Sequence, residues 1–459
     1  MSRILSRKLN IFSVISFFVV LIFCVYFSFI RFSDLAKKNN PTDVYQVQAQ
    51  ITDCDAMPNN WPQVGYDPQH TGYSPQPLGQ NINNVAWVHP FQPDKVYPQV
   101  QPIIYCNKVF VGTEGANGEK PTLYAFNAQS GVEEWKYEVQ GSILSSVAAG
   151  KDSQGRYIVY LSSMDGNIYA LRVDTTNPNG ELVWKSNLPR ANRYGFSASP
   201  LLAENKLFIG RRDGTFYALD PLNGTVLWTK TTSAPIMQPA VYNNGRVFFS
   251  SMDMRVHAVD TANPSTFAWE TPQLTGMAFH DYWPMAHKGR VIFSRTNAAG
   301  LALLETTGAE TPINYAHWPL MHGAMTPVCE IPDSRPEAAP GSMNLVIPAW
   351  GEYDIDSNTV LYTYIDGTGE TGVNNGDENT NLSCAQNAVV VFHTYEASGG
   401  APYSGIFDLT ARTWRSISPG QTKREMWNNT QGGGGNPPSM VDGWVFHVSR
   451  HNLIVRNTN

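Results

Sequence analysis

The sequence predicts an all-β chain. It reads as an eight-bladed β-propeller of four-stranded antiparallel blades, with seven blades as the alternative count, behind an N-terminal transmembrane helix. Three observations predict the propeller. A phrase of two short strands and a tryptophan recurs four times between about residues 100 and 270; its tryptophans, Trp135, Trp184, Trp228 and Trp269, advance by 49, 44 and 41 residues; and each copy carries hairpin chemistry but too few strands to bury two faces. A period of this size belongs to propellers and solenoids. Radial closure also hides most strand edges, which an open array of hairpins would leave exposed.

The copies are read in order. The first runs Val109-Phe110-Val111-Gly112, Leu123-Tyr124-Ala125-Phe126, Gly131, Trp135. The second and third insert Asp165-Gly166 and Asp213-Gly214 between their strands, the strongest local signal for a tight hairpin, and the fourth keeps only Asp253. The second strand alternates, so Tyr169 and Leu171 share one face and Ala170 the other. A further turn, Asp220-Pro221-Leu222-Asn223-Gly224, uses Pro to fix one dihedral and Gly to supply positive φ before an outer strand that ends on Trp.

Later units are degenerate. Val291–Ser294 before Leu301–Leu304 reads as a fifth blade without its Trp, and a sixth runs from Pro327 through Leu345-Val346-Ile347 to Leu361–Tyr364. A seventh joins Val389–Phe392 to Gly405–Leu409 and Trp414. Residues 437–459 supply three strands and lack a fourth. Val85-Ala86-Trp87-Val88-His89 looks like an outer strand without a blade, so it is expected to complete the last one. Residues 85–459 number 375, about 47 per blade for eight blades. A composition of 12% aromatic residues with 37 Gly and 31 Pro suits aromatic strands and many turns.

The phrase strand, Asp-Gly, Leu-Tyr-Ala-Leu-Asp, turn Gly, strand, Trp resembles the repeat of the pyrroloquinoline-quinone (PQQ)-like propellers. That superfamily includes quinoprotein alcohol dehydrogenases and a non-catalytic outer-membrane assembly lipoprotein, which this chain resembles more. Trp61-Pro62-Gln63-Val64-Gly65-Tyr66-Asp67-Pro68-Gln69-His70-Thr71-Gly72-Tyr73-Ser74-Pro75 is similar to the leader that often precedes the first blade. The dehydrogenase branch implies a protein-held Ca²⁺, a nearby Asp base, and a Trp plane and adjacent cysteines around PQQ. No adjacent cysteines occur here, the family's calcium-binding Glu and Asn and its catalytic Asp find no matching motif, and the blades are compact. The resemblance therefore implies a binding or assembly scaffold without catalysis or cofactor, working outside the cytoplasm with a protein or envelope-polymer partner. The alternative is a PQQ- and calcium-dependent oxidoreductase acting on alcohols or sugars. A weaker one is a carbohydrate-binding propeller, suggested by the many Trp and Tyr residues.

Residues 1–10 read as a cytoplasmic n-region, 11–30 as a membrane segment, 31–60 as a tether, 61–84 as the leader and 85–459 as the propeller. Residues 11–30 hold no charge and as a helix would span about 30 Å, enough for a bilayer. A signal anchor is favoured over a cleaved signal, because the apolar stretch is long and Tyr26–Arg31 offers a poor cleavage site. This predicts a single-pass membrane protein; the alternative is a secreted or periplasmic one. Outside that segment stand Cys54, Cys106, Cys329 and Cys384. The expected disulfides are Cys54 with Cys106 and Cys329 with Cys384, whose members lie in neighbouring segments; four buried thiols are the other reading.

Net charge is −6 and no basic stripe exists beyond the flanks of residues 11–30, so nucleic acid is not an expected partner. Phosphate-loop, Gly-x-Ser-x-Gly and His-Glu-x-x-His motifs are absent from the sequence. Two clusters are candidate metal sites. His280, His287, His317 and His322 concentrate imidazoles around blades five and six, where hydrogen-bonded packing is the plainer role. Asp354, Asp356 and Asn358 alternate as calcium ligands do, yet the loop lacks the Gly and distal Glu of such sites, and a solvated acidic loop fits as well.

Overall fold

In a computed structural model the described residues are 53–459, apart from 82–83, 190–192, 276–277, 280–281, 296–297, 314–327, 334, 348–350, 364–379, 394–404 and 415–435. The expected membrane segment, residues 11–30, lies outside the described residues. Among the described residues no helix is long and apolar enough to cross a membrane.

Eight sheets follow one another along the chain, each with a four-stranded antiparallel core. Blades 1 to 7 span residues 103–138, 148–185, 201–231, 241–270, 285–311, 329–363 and 380–414. Blade 8 takes three strands from residues 439–457 and its outer strand from Val85–Pro90, which pairs antiparallel with Asn452–Asn457 through Val88↔Ile454 and His89↔Leu453. The first strand of a blade is its inner one: Ser439–Val441 of blade 8 touches Ile103–Tyr105 of blade 1, closing the ring. The count is eight, and Val85–Pro90 joins the start of the propeller to its end.

Cross-strand register explains the repeated phrase. Its Ala lies opposite its Trp: Ala125↔Trp135, Ala170↔Trp184, Ala218↔Trp228 and Ala258↔Trp269. A methyl group there leaves room for the indole to lie over the sheet and reach the next blade. Trp87, Trp135, Trp184 and Trp269 each donate Nε1–H to a carbonyl of the following blade, at Ala128, Val173, Pro221 and Glu305. Beneath Trp184 lies Gly224, at φ +74°; a Cβ there would stand 2.6 Å from the indole, so the turn needs Gly for both conformation and space. The Trp sits within the outer strand, as in Glu133–Glu138 and Val226–Thr231, and not at its end as the sequence suggested.

Trp228 is the exception. Blade 4 has Thr261-Ala262-Asn263-Pro264 where blades 1, 2, 3 and 5 have a turn Gly, and the buried Nε1 of Trp228 finds no acceptor among the described residues. That seam instead stacks Phe216 on Phe249, ring centroids 4.0 Å apart, and sets Lys230 over Phe267. An aromatic pair of this kind adds about 0.5–1.5 kcal/mol beyond area burial.

Blades 5 to 7 are joined differently. Blade 5 ends in Glu310–Thr311, with Thr311 opposite Ala302 where a Trp would stand. Lys288 and Arg290 of blade 5 pair with Asp354 (3.3 Å) and Asp356 (2.8 Å) of blade 6, and Arg412 of blade 7 pairs with Glu352 of blade 6. Cys329 and Cys384 form a disulfide between the inner strands of blades 6 and 7, with Cα atoms 5.7 Å apart. The third strand of blade 6 is Gly351–Asp354, so Thr359–Thr363, which covers most of the Leu361–Tyr364 run, is its outer strand. Blade 7 carries a fifth strand, Tyr73–Ser74, parallel to Thr380–Ala385. In blade 7 Trp414 pairs with Phe407.

Candidate functional site

The innermost strand of a blade has one edge with no sheet partner, and its backbone N–H groups need acceptors. The leader supplies them. Trp61 bridges Ile104 of blade 1; Pro62 O accepts from Ala149 N (2.7 Å) of blade 2, and the Gln63 side chain from Leu202 N (3.0 Å) of blade 3. Pro68, Gln69, Thr71 and Gly72 carbonyls then accept from Tyr242, Ala286, Glu330 and Cys384, on the inner strands of blades 4 to 7. The segment leaves beside blade 8, where Gly79 N bonds Thr458 Oγ1 and Asn81 N bonds Thr458 O, before becoming the outer strand there. Residues 61–72 thus bond the inner strands of seven consecutive blades.

The same segment crosses the axis. Gly65 N donates to Gln101 Oε1 just before the blade 1 inner strand (2.8 Å), and His70 Nδ1 lies 2.8 Å from Pro284 O just before that of blade 5, on the opposite side of the ring. The carbonyl can only accept, so the proton is on Nδ1 and Nε2 is a bare lone pair; it is buried and finds no partner among the described residues. Burial holds the His70 imidazole down at a pKa of about 4, hence neutral.

Beside the leader, facing blades 1 to 3, lies a cavity of about 480 Å³ lined by Pro58, Pro62, Pro68, Tyr66, Asp67, Tyr105 and Lys151 among others. Tyr66 adopts φ 80°, an unusual backbone for a bulky residue, and packs edge-on against Trp61. Asp67 Oδ1 and Oδ2 accept from Thr71 N (3.0 Å) and Oγ1 (2.6 Å). Burial outweighs these bonds and pushes the Asp67 carboxyl up to about 6. At the rim the Tyr105 hydroxyl donates to Asp55, which lies 4.0 Å from Lys151 Nζ.

Around the axis the polar groups are hydroxyls and amides that satisfy one another. Gln101 N donates to Ser146 Oγ and its Nε2 to Pro438 O (both 2.8 Å), Ser146 N donates to Ser199 Oγ (3.1 Å), and Ser439 Oγ donates to Pro102 O (2.6 Å). Among the described residues no three His, Cys, Asp or Glu side chains converge as a metal site. The hard-oxygen cradle that a calcium-bound quinone needs is not matched by these donors.

The sequence-derived candidates fall elsewhere. His287 is on the inner strand of blade 5 with Nδ1 2.5 Å from Glu330 Oε1; His280, His317 and His322 lie outside the described residues. Asp354, Asp356 and Asn358 belong to the hairpin between Gly351–Asp354 and Thr359–Thr363. There the two carboxylates meet Lys288 and Arg290, and Asn358 Oδ1 accepts from the Tyr353 hydroxyl. Gly166 and Gly214 occupy the expected Asp-Gly turns, bonding back to Ser163 and Arg211. Sequence reasoning missed Tyr66, Asp67 and His70 as site residues; their signal was present only as the leader motif itself. It also missed Arg211, a buried guanidinium paired with Asp213 at 2.5 Å and lying over the Tyr217 ring.

A family model described as outer membrane protein assembly factor BamB matches residues 172–311. Quinoprotein alcohol dehydrogenase PedH of Pseudomonas putida is 27% identical over 200 residues, 40% of this chain and 32% of that relative, so the match spans about a third of its length. Among solved structures, quinohemoprotein alcohol dehydrogenase from Comamonas testosteroni superposes with a TM-score of 0.54 at 12% identity, over 86% of this chain and 80% of that one. The computationally designed Ika8 protein gives 0.53 at 13%, covering 79% and 96%. BamB from Moraxella catarrhalis gives 0.42 at 15%, covering 76% and 79%. At these identities the structural likenesses speak to the fold alone. The repeated phrase and the eight sheets make the chain an eight-bladed β-propeller, similar in part of its sequence to an assembly factor and to a quinoprotein alcohol dehydrogenase.

Proposed function

We propose that the chain is a membrane-anchored, extracytoplasmic propeller that serves as a binding or assembly scaffold and performs no covalent chemistry. The leader carries this reading: by bonding the inner strands of seven blades and crossing the axis it makes one face of the ring a continuous, rigid platform. The mutually satisfied hydroxyl and amide groups around the axis support it, as does the family-model match to an assembly factor. A disulfide between blades 6 and 7 suits an oxidising compartment, and the uncharged residues 11–30 suit an anchor. The partner class is a protein or an envelope polymer. Affinity capture of the full chain from detergent-solubilised, cross-linked membranes should recover a stoichiometric partner; recovery of none would count against the proposal.

The second reading, a PQQ-dependent oxidoreductase, is favoured by the 27% identity to a quinoprotein alcohol dehydrogenase. Incubating the detergent-solubilised chain with PQQ and Ca²⁺, desalting it and assaying dye reduction with alcohols and aldoses separates the two. Retained cofactor with substrate-dependent turnover would replace the scaffold reading.

A further inference from the structure

The cavity beside the leader has a composition that selects a ligand. Its walls are flat: Pro58, Pro62 and Pro68 with the rings of Tyr66 and Tyr105. Two carboxylates line it: Asp55, which faces Lys151 and the Tyr105 hydroxyl, and Asp67. Asp67 is half-buried, but its carboxyl group is withdrawn from water, and burial is the largest influence on it. Among the described residues no cation pairs with Asp67. The charge that bears on it is Glu330, of the same sign, while Lys151, the basic residue in the cavity wall, is turned to Asp55. A buried carboxylate between aromatic faces is relieved most by a weakly hydrated cation, which gains Coulomb energy from the acid and quadrupole attraction from the rings. Tyr66, at φ 80°, packs its ring edge-on against Trp61, which fixes a ring in the residue next to the acid. At about 480 Å³ the cavity is within the usual range for a small ligand and far larger than one ammonium ion needs.

We propose that this cavity binds an organic cation, an alkylguanidinium or alkylammonium group with an apolar stem, with Asp67 as its counter-charge and Tyr66 and Tyr105 as its walls. The same chemistry is borne by a free amine and by a basic side chain of a docked partner. The site is independent of whether the chain turns over a substrate, so its failure leaves the scaffold reading standing.

The test is calorimetric titration of the detergent-solubilised full chain with n-butylguanidinium, n-butylammonium and neutral n-butylurea. Saturable one-to-one binding of the cations, at least ten-fold tighter than the urea, is expected. Because protonation of Asp67 removes the counter-charge, affinity should fall about ten-fold between pH 7.5 and pH 5. Asp67→Asn should weaken binding at least ten-fold at pH 7.5 and abolish that pH dependence. Lys151→Met leaves the leader turn untouched and should tighten binding two- to three-fold by removing a competing cation. Equal affinity for butylurea and butylguanidinium, or an unaltered pH profile in Asp67→Asn, overturns the proposal. An arginine tripeptide amide distinguishes the sources: tighter binding than butylguanidinium assigns the site to a partner's side chain, and weaker binding to a free amine.

Discussion

Trp184 and Trp228 occupy the same place in successive blades, opposite Ala170 and Ala218, yet only one completes its contact with the next blade. Trp184 is 9% exposed and donates Nε1–H to Pro221 O at 2.9 Å. The Nε1 of Trp228 is buried with no acceptor among the described residues. Replacing either by Phe removes the pyrrole ring, about 40 Å² of surface worth about 1 kcal/mol. In Trp184→Phe the lost hydrogen bond adds about 1 kcal/mol, softened because the Tyr160 hydroxyl still reaches the Pro221 carbonyl at 3.2 Å. In Trp228→Phe the substitution removes an unsatisfied donor whose burial costs about 1–3 kcal/mol, offsetting the lost area. Trp184→Phe should therefore cost about 2 kcal/mol and Trp228→Phe close to nothing. Urea unfolding of the two full-length variants in detergent, read by near-UV circular dichroism, gives the comparison if the slopes match. Equal losses would refute the reasoning, because they would show that the indole N–H across the seam contributes nothing.

Deleting residues 81–92 removes the outer strand of blade 8, together with the Trp87 contact to Ala128 that links it to blade 1. Its melting midpoint should drop and its transition broaden, whereas deletion of residues 31–52 should leave melting unchanged; similar midpoints would remove the ring-closure account. Salt should act unevenly around the ring, since the ion pairs Lys288–Asp354 and Arg290–Asp356 are each worth about 0.2–1 kcal/mol and are screened at 1 M NaCl, while the Trp–Gly seams are not. Hydrogen exchange should show blades 5 and 6 losing protection before blades 1 to 3, and uniform change would contradict this. Burial holds His70 and His447 at pKa values of about 4 and about 3, below the ordinary 6.5, so from pH 6.5 downward the unfolded chain takes up protons that the native one does not. Stability should therefore fall as pH drops from about 6.5 toward 4, by up to about 3 kcal/mol for His70, with Asp67, raised to about 6, acting in the opposite sense. His447→Gln should shift the acid-unfolding midpoint to lower pH; an unchanged midpoint would show that this imidazole is not buried neutral.

How far the fold could be read depended on how each seam is held. Blades 1 to 4 and 8 were legible because the clamp between neighbours is a nearly fixed residue set: a Trp, an Ala opposite it in blades 1 to 4 and Val455 in blade 8, and in most of these seams a Gly in the next turn. Those residue types have few substitutes, so the phrase repeats and the ring-closing strand at Val85–Pro90 could be found by its Trp. Blades 5 to 7 lost the phrase where they lost the clamp. Thr311 stands in the Trp position, and the joints pass to charge pairs and a disulfide, whose members carry no periodic signature and are recognised only in space. The third strand of blade 6, Gly351–Asp354, escaped notice because the hairpin after it, Asp354 to Asn358, reads as a ligand loop when its partners Lys288 and Arg290 are 66 residues away in sequence.

The leader follows the same logic in reverse. It was visible as a motif, but nothing in its sequence states that it serves seven separate blades, since six of the acceptors are backbone carbonyls that any residue could supply and only blade 3 is met by a side chain, that of Gln63. What its composition does fix is shape. Gly65 must lack a Cβ because one would stand 2.6 Å from that of His70, and that close approach accompanies the His70 bond to Pro284 beside blade 5 and the position of Tyr66 and Asp67 at the cavity. Two residues that look unremarkable in the chain, Gly65 and His70, thus join the closure of the ring to the placement of its candidate binding site. A substitution that pushes them apart, such as Gly65→Val, should disturb cation binding in the cavity and ring stability together.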